Sequence, residues 1–456
     1  MLEKIADLLW DYPMLILLMG THIFMSVKTG FIQKKLPLAI KLSFEKEKNT
    51  GGGIGQFSAL ATSLASTVGT GNILGTATAI AIGGPGAVFW IWFSGIFAIA
   101  TKYAETYTAV KYRIKKEDGS YCGGAMYTLQ NVLKMKWLGK LFAFFAMFTA
   151  LCIGCSLQSN AIISTLANAV NMERFPTVNI FGVQISVLII AASVILTVIS
   201  AAAIFGGLSR ITKLCEKVVP AMAAIFLIGC FSLLFINRSF IMPSISLIIS
   251  SAFSLKAGAG GLAGSCLMLS FRMGVSRGLF SNEAGVGSSP MVSACTGEND
   301  AVKTSLIASG AVFWDTLVIC LITGIVMVSS SLAGDFGTDL NGSQLASLAF
   351  SKVPFLGNSF LLLCLLIFAF STILGWSVYG IQSAVYLFGE RAQGPYKFFW
   401  IVTVFISCFA DVESLWTLGE ILNALMAIPN IFTVFMLSGE IRQDTKEYFR
   451  KKRTAV

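Results

Sequence analysis

The sequence predicts an all-α protein that crosses a membrane several times. Only 12% of its 456 residues are charged and 55% are hydrophobic, whereas a soluble globular protein carries about 25% charged residues. Mean hydropathy is +0.77, and apolar runs long enough to cross a bilayer recur along almost the whole chain. These runs lack the alternation of barrel strands. The composition excludes a soluble enzyme, a disordered chain and a disulfide-stapled secreted domain.

Apolar runs separated by short polar, glycine or proline breaks define about eleven predicted transmembrane helices. Their boundaries are accurate to a few residues. In chain order, the predicted spans are 10–27, 54–81, 87–110, 138–166, 180–205, 218–236, 267–294, 304–331, 355–388, 398–410 and 415–437. The first is kept as a helix, because it opens with Glu3, Asp7 and Asp11 and has no small-residue cleavage site.

The basic residues predict the orientation. Most of the 33 lysines and arginines fall in loops on one side of these spans, and loops rich in such residues face the cytoplasm. We therefore expect a multi-pass protein of the cell membrane, with its N-terminus outside and its basic C-terminal tail, 441–456, in the cytoplasm. The excess of positive charge is therefore explained by membrane orientation, and nucleic acid is not an expected partner.

Two of the spans are interrupted by polar and glycine-rich sequence. The second contains SLASTVGTGN at 63–72, and the seventh contains FSNEAGVGSSP at 280–290. Irregular backbone at this depth is tolerated where it lines a cavity.

The placement of the two interruptions suggests an internal repeat. With residues 1–50 set aside as an extra helix and a basic loop, the interrupted spans open two sets of five helices, at 51–237 and 238–440. Because five is odd, the two sets enter the membrane in opposite directions, as in secondary transporters with inverted repeats. Small residues also occur where helices simply pack closely, and that alternative stays open.

Polar side chains within other spans could face the same cavity. Gln158 lies mid-span in the fourth helix, and Ser371 and Thr372 lie in the ninth, shortly before Trp376. Hydroxyl and carbonyl oxygens suit a hard cation such as sodium. A serine–threonine pair in a membrane helix can also bond to its own backbone, so the pair alone does not define a site.

Charged residues within the spans need partners or water at membrane depth. Lys102 and Glu105 are three residues apart on one helix, so a local ion pair accounts for both. Arg272, Arg277 and Glu283 have no such neighbour in sequence.

Nothing in the sequence favours an enzyme. A single histidine, His22, and the lone CxxC of Cys152 and Cys155 leave no plausible metal site. The G-x-S-x-G pattern at 274–278 has no preceding strand and almost no histidine to act as base. We expect neither catalytic residues nor an organic cofactor.

Five segments carry a family resemblance. They are GTGNI at 69–73, GGPGAVFW at 83–90, TKYAE at 101–105, RGLFSNEAG at 277–285 and FAFSTILGW at 368–376. These segments resemble the alanine or glycine:cation symporter family, and the match runs from about residue 51 to the tail. The resemblance implies a LeuT-like fold with two discontinuous helices in an inverted five-helix repeat. It also implies sodium-driven uptake of small neutral amino acids such as alanine and glycine. We expect the protein to act in the lipid bilayer as a monomer.

The resemblance also implies a substrate site. The amino-acid carboxylate would meet the backbone at 70–72, and its ammonium would face the opened turn at 280–282. Trp376 and Phe280 would leave room for little more than a methyl side chain. The implied substrate-binding residues are Thr70, Gly71, Asn72, Gln158, Phe280, Ser281, Asn282 and Trp376.

A sodium site follows from the same resemblance. The implied ligands are the carbonyls of Ala65, Val68 and Phe368 and the hydroxyls of Ser371 and Thr372. Because this site joins helices from opposite repeats, filling it would favour the outward-open arrangement.

Two other interpretations stay open. A proton-coupled transporter of the same fold would use Glu283, beside the second interruption, as its proton carrier. An ion channel is a further alternative, although no ring-forming filter motif recommends it.

Overall fold

The computed structural model describes residues 2–45, 53–170, 175–180, 183–254, 263–334, 340–354, 357–410 and 413–454. This part of the chain is almost entirely helical. Two short antiparallel hairpins pair β1 (Ile114–Lys115) with β2 (Tyr121–Cys122) and β3 (Thr177–Ile180) with β4 (Val183–Ser186).

The helices of the described residues are α1 (Leu2–Asp11), α2 (Pro13–Lys28), α3 (Leu36–Ser43), α4 (Gln56–Thr67), α5 (Thr76–Gly83), α6 (Ala87–Lys111), α7 (Ala125–Asn131), α8 (Lys136–Thr149), α9 (Gln158–Ala169), α10 (Val187–Ile204), α11 (Gly207–Ile236), α12 (Arg238–Ala252), α13 (Ala263–Asn282), α14 (Pro290–Ser293), α15 (Ala301–Val312), α16 (Leu321–Gly334), α17 (Gly342–Phe350), α18 (Asn358–Phe388), α19 (Gln393–Ser407), α20 (Glu413–Met436) and α21 (Ser438–Thr454). Three π-helical segments connect some of them: Gly71–Gly75 leads into α5, Ala150–Leu157 joins α8 to α9, and Phe313–Cys320 joins α15 to α16.

The prediction of a multi-pass helical membrane protein is confirmed. Within the described residues, eight helices are long and apolar enough to cross a membrane. The two interrupted spans are divided into shorter pieces, and α19 has only 15 residues, so the count of eleven stays a prediction. The start predicted at Phe355 lies outside the described residues.

Two sequence boundaries were wrong. The span predicted from 180 begins at Val187, because the preceding apolar residues form the β3–β4 hairpin. The segment after the sixth span, predicted as a loop, contains α12, which packs against α6 and α16. An apolar stretch of this length does not by itself distinguish a strand, a short helix and a span.

Ion pairs join three of the segments that carry basic residues. Lys111, which ends α6, pairs with Asp444 at 2.7 Å and with Glu440. Lys116 pairs with Glu390 at 2.7 Å. We call this face, formed by the ends of α6 and α18 and by α21, the basic end of the molecule.

The opposite end is held together by a separate set of contacts. The Arg272 guanidinium lies 2.9 Å from Asp11, and Trp90 Nε1 donates to the Ala252 carbonyl at 3.2 Å. The alternation of loops between the two ends stays a prediction.

The interrupted helices lie in the centre of the bundle. α13 packs along α5 and α6, while α4 packs against α11, α15 and α18. The helix at the start of the chain joins this core, since α2 packs on α6 and His22 Nδ1 lies 2.7 Å from Thr101 Oγ1. Both interrupted helices therefore pack against several other helices of the described residues.

Candidate functional site

The first break follows α4 at the glycine-rich stretch predicted from the sequence. Val68 leaves helical geometry with ψ 94°, and the Gly69 N–H donates to Asn72 Oδ1 at 2.8 Å. In a continuing helix that N–H would bond to the Ala65 carbonyl. The break therefore frees the Ala65 carbonyl for other donors.

The second break separates α13 from α14. Three of its residues have left-handed backbone, with φ 52° at Glu283, 88° at Gly285 and 89° at Gly287. A Cβ added to Gly285 would lie 2.8 Å from Leu18 Cδ2, and one added to Gly287 would lie 2.7 Å from Asn430 Cγ. Glycine is needed at both positions for backbone angle and for space.

A buried cluster of charged and polar side chains, which we call the clasp, holds the second break. Lys102 Nζ lies 3.2 Å from Glu105 Oε1 and donates to Ser289 Oγ at 2.8 Å and to the Glu283 carbonyl at 3.2 Å. Glu105 Oε2 accepts from the Gly285 N–H at 3.0 Å and from Asn430 Nδ2 at 2.8 Å. The clasp is therefore formed by Lys102, Glu105, Ser289 and Asn430.

The structure shows the partners of the charged residues that the sequence places within spans. The predicted Lys102–Glu105 ion pair is confirmed, and both side chains are at most 1% exposed. That this pair also fixes the backbone of a distant break is not visible in the sequence. Arg272 pairs with Asp11, and Arg277 lies 3.9 Å from Glu420.

A cavity of about 40 Å³ lies between the two breaks. A single water needs about 10–15 Å³, so the space suits only a small molecule. Its lining residues are Ser66, Thr67, Gly69, Thr70, Gly71, Ile153, Leu157, Gln158, Phe280, Ser281, Glu283, Thr372, Trp376 and Trp416. Within this wall, Thr70 Oγ1 donates to Gln158 Oε1 at 3.3 Å.

The cavity brings together most of the residues implied to bind substrate. The six that line it are Thr70, Gly71, Gln158, Phe280, Ser281 and Trp376. Asn72 and Asn282 are buried but are not part of this lining. Asn72 Nδ2 donates to Asp315 Oδ1 at 2.7 Å, and Asn282 Oδ1 accepts from the Ala284 N–H at 3.0 Å. Both asparagines thus bond to the protein itself beside the cavity.

Two aromatic side chains cover one side of the cavity. The rings of Phe280 and Trp416 stack with their centroids 5.9 Å apart and an interplanar angle of 19°. Trp416 was missed in the sequence, where it reads as an ordinary aromatic residue of an apolar span. On another side, Trp376 fits closely because Gly154 has no side chain, since an added Cβ would lie 2.2 Å from Trp376 Cβ.

A cluster of neutral oxygens lies beside the cavity, where α4 meets α18. The hydroxyls of Ser371 and Thr372 donate to the Phe368 carbonyl at 2.8 and 2.9 Å. Thr372 Oγ1 also lies 3.1 Å from the Ala65 carbonyl, and Ser371 Oγ lies 3.5 Å from it. Val68 is the buried residue that directly follows α4.

This cluster contains four of the five residues implied to bind sodium, and Val68 lies in the same turn as Ala65. The hydroxyls bond to their own helix, as the alternative interpretation of this pair expected, and they also reach a second helix. Neutral hydroxyl and carbonyl oxygens from two helices fit a monovalent hard cation better than a transition metal, which prefers nitrogen or sulfur ligands.

Asp315 is a buried carboxylate that the sequence analysis missed. It lies in the π-helical segment between α15 and α16 and is 0% exposed. A lone acidic residue within an apolar span is a signal for function that the sequence does contain. Its position beside Asn72 and Ser281 depends on three segments meeting in space.

A second cavity, of about 550 Å³, opens at the basic end. Its wall includes Ser58 at the start of α4, Glu216 on α11 and Gln382 on α18. Ser58 Oγ donates to Glu216 Oε2 at 2.6 Å. The two cavities share no lining residue, and the buried Tyr379 lies on α18 between Trp376 of one and Gln382 of the other.

The chain was also compared with known proteins. All residues, 1–456, match the sodium:alanine symporter family. The chain is 37% identical to the sodium/alanine symporter AgcS of Methanococcus maripaludis, over 98% of this chain and 96% of that protein. It is 38% identical to an uncharacterized transporter of Haemophilus influenzae, over 99% of this chain and 96% of that protein. It is also 32% identical to the probable sodium/glutamine symporter GlnT of Bacillus subtilis, over 98% and 90% of the two chains. With a match over its full length and relatives of this similarity, the chain belongs to the sodium:alanine symporter family.

Proposed function

We propose that this protein is a sodium-coupled symporter that imports alanine and glycine by alternating access. The observation that carries the proposal is the convergence of two broken helices on one small cavity, with a cluster of neutral oxygens directly beside it. Half-helix ends and freed carbonyls at membrane depth bind the charged groups of a substrate and its coupling ion in secondary transporters.

In this proposal the substrate lies across the cavity from one break to the other. Its carboxylate meets the backbone of Thr70 and Gly71, and its ammonium lies toward Phe280 and Ser281. Gln158, held by Thr70, closes one side. The volume of about 40 Å³ favours alanine and glycine over an amino acid the size of glutamine.

Sodium binds, in this proposal, to the oxygens of Ala65, Val68, Phe368, Ser371 and Thr372. Thr372 also lines the cavity, so the ion and the substrate share a wall. Because the ligands belong to α4 and α18, a bound ion stabilises only the arrangement in which these helices are close.

The remaining features of the proposal concern the fold and its orientation. Residues 51–237 and 238–440 form a LeuT-like inverted repeat, and the protein works as a monomer with its N-terminus outside. The basic end then faces the cytoplasm, as expected for loops rich in lysine and arginine. The cavity of about 550 Å³ at that end is the route by which substrate and ion leave.

Sodium can supply enough energy for uphill uptake. One ion moving down an about tenfold gradient releases about 1.4 kcal/mol, and an inside-negative potential adds about 2.3 kcal/mol per 100 mV. At one-to-one coupling the total supports about 500-fold accumulation of a zwitterion.

A second candidate is a proton-coupled transporter that uses Glu283. Its side chain lines the cavity, and its Oε2 accepts from Ser288 Oγ at 2.6 Å. This carboxylate is therefore placed where a transported proton could be carried beside the substrate.

Uptake of labelled alanine into vesicles of the purified protein separates the candidates. The proposal predicts accumulation with an inward sodium gradient and none with an equal potassium gradient or with a pH gradient alone. Accumulation driven by the pH gradient alone would favour the role of Glu283 and overturn the sodium proposal. Labelled glycine, tested in parallel, shows whether both substrates are taken up.

A further inference from the structure

The buried Asp315 carboxylate connects the two breaks. Its Oδ1 accepts from Asn72 Nδ2 at 2.7 Å, and Asn72 belongs to the first break. Its Oδ2 accepts from Ser281 Oγ at 2.9 Å, next to the second break, and from Thr316 Oγ1 at 2.7 Å. Three donors directed at one side chain suit an ionised carboxylate, which only accepts.

The orientation of Asn72 is fixed by its other partner. Its Oδ1 accepts from the Gly69 N–H at 2.8 Å, and a backbone N–H can only donate. The Asn72 amide group must therefore turn its Nδ2 toward Asp315 and Ser281, and Nδ2 lies 3.1 Å from Ser281 Oγ.

These contacts fix the polarity of the Ser281 hydroxyl. Its one hydrogen is donated to Asp315, and one of its two lone pairs accepts from Asn72. Cys320 Sγ lies 3.5 Å from the same oxygen, but a thiol is only a weak donor. Ser281 is one of the residues that line the cavity, and its hydroxyl keeps one lone pair, but no hydrogen, for a group bound there.

We propose that Asp315 is a positioning residue that makes Ser281 an acceptor toward the cavity, so that the site selects the ammonium group of its substrate. A lone pair in this position binds a charged N–H donor and gives no hydrogen bond to an acceptor. The proposal rests on the proposed function, because it assumes that the substrate ammonium lies toward Ser281.

Replacing Asp315 by asparagine is expected to reverse this polarity. The new amide oxygen must face Asn72 Nδ2, which can only donate, so the new NH₂ group faces Ser281 Oγ. Ser281 would then accept from both asparagines and turn its hydrogen toward the cavity. The substitution changes hydrogen-bonding capacity with almost no change in side-chain volume.

The test measures apparent affinities by inhibition of labelled alanine uptake in vesicles under a sodium gradient. The inhibitors are unlabelled L-alanine and L-lactate, which has a hydroxyl in place of the ammonium. In Asp315→Asn we expect the affinity for alanine to fall about tenfold to a hundredfold, the range of a hydrogen bond to a charged group. The affinity for lactate should fall much less, because its hydroxyl can accept from the reversed Ser281.

A merely structural role for Asp315 would give a different result. Loosening of the site would lower the affinities for alanine and for lactate by the same factor. That outcome, or an unchanged affinity for alanine, would overturn the proposal. If the wild-type protein takes up no alanine, the proposed function itself fails, and that result is seen before any variant is compared.

Two further variants keep the proposal testable if Asp315→Asn does not fold. Ser281→Ala removes the oriented oxygen while leaving Asp315 its other donors, and it should weaken alanine more than lactate. Equal weakening, or none, would contradict the proposal. Thr316→Val is the matched control, because it removes a donor from the same carboxylate but does not line the cavity. It should leave the ratio of alanine to lactate affinities at the wild-type value.

Discussion

The two breaks differ in what holds their backbone. The first contains the extended residue Val68 and a π-helical turn, and the Asn72 side chain holds it from within. The second has three left-handed residues, and the buried charges of Lys102 and Glu105 bind its backbone. The first break leaves a carbonyl free for α18, whereas charged groups already occupy backbone groups of the second. We infer that the freed carbonyl of the first break supplies a ligand for the ion, whereas the clasp fixes the backbone that follows Phe280 and Ser281 at the second break.

The largest expected effect concerns the free carbonyl of the first break. Replacing both Ser371 and Thr372 by alanine removes the hydroxyls that meet the Ala65 carbonyl. We expect sodium-driven alanine uptake to be abolished. The protein should still fold, because α18 keeps its backbone hydrogen bonds without these two hydroxyls. Uptake in vesicles with sodium or potassium gradients measures this. If the double variant retains sodium-stimulated uptake, Ser371 and Thr372 are not sodium ligands.

Breaking the clasp should strongly destabilise the protein. Lys102→Met leaves the Glu105 carboxylate buried without its cation, which typically costs about 3–5 kcal/mol. Thermal unfolding in detergent measures the change. The matched control is Lys111→Met, whose ion pairs are about one-third exposed and should contribute only about 0–1 kcal/mol. Similar unfolding temperatures for the two variants would show that the clasp does not support the second break.

The glycines of the second break give a smaller effect on stability. Gly285→Ala should lower the free energy of unfolding in two ways. A left-handed backbone at alanine costs about 1–2 kcal/mol, and the clash with Leu18 costs about 1–3 kcal/mol. In the loop at Gly119, φ is 82° and an added Cβ meets nothing within 4 Å, so Gly119→Ala should show only the backbone strain. If the two variants unfold at the same temperature, the second break is not tightly packed at Gly285.

The smallest effect on stability is expected within the first break. An added Cβ at Gly71 or at Gly75 meets nothing within 4 Å, and neither glycine has positive φ. Both alanine variants should unfold within about 0.5 kcal/mol of the wild type. Only Gly71 lines the cavity, so only Gly71→Ala should weaken alanine uptake. Equal uptake by the two variants would remove Gly71 from the substrate site.

The sequence predicted those parts of the site that are visible as local patterns. Broken apolar spans, a hydroxyl pair and two charges three residues apart are all features of single segments. The structure places Ser371 and Thr372 against Ala65, and it confirms the ion pair of Lys102 and Glu105.

The missed residues acquire their role from distant partners. Asp315 reaches Asn72 across 243 positions of sequence, and Asn430 reaches Glu105 across 325. A sequence pattern shows that such a residue is polar within an apolar span, but it does not show which helix its side chain meets. The hairpin before α10 was missed for a related reason, because apolar residues suit a strand and a span equally well.

We infer that the first break, α18 and the cavity form one linked site for sodium and alanine. The decisive experiment is the binding of labelled alanine to the purified protein, measured in sodium and in potassium at equal ionic strength. We predict that sodium tightens alanine binding and that alanine tightens sodium binding by the same factor, as linkage requires. Alanine binding of equal strength in sodium and potassium would show that the two sites are not linked.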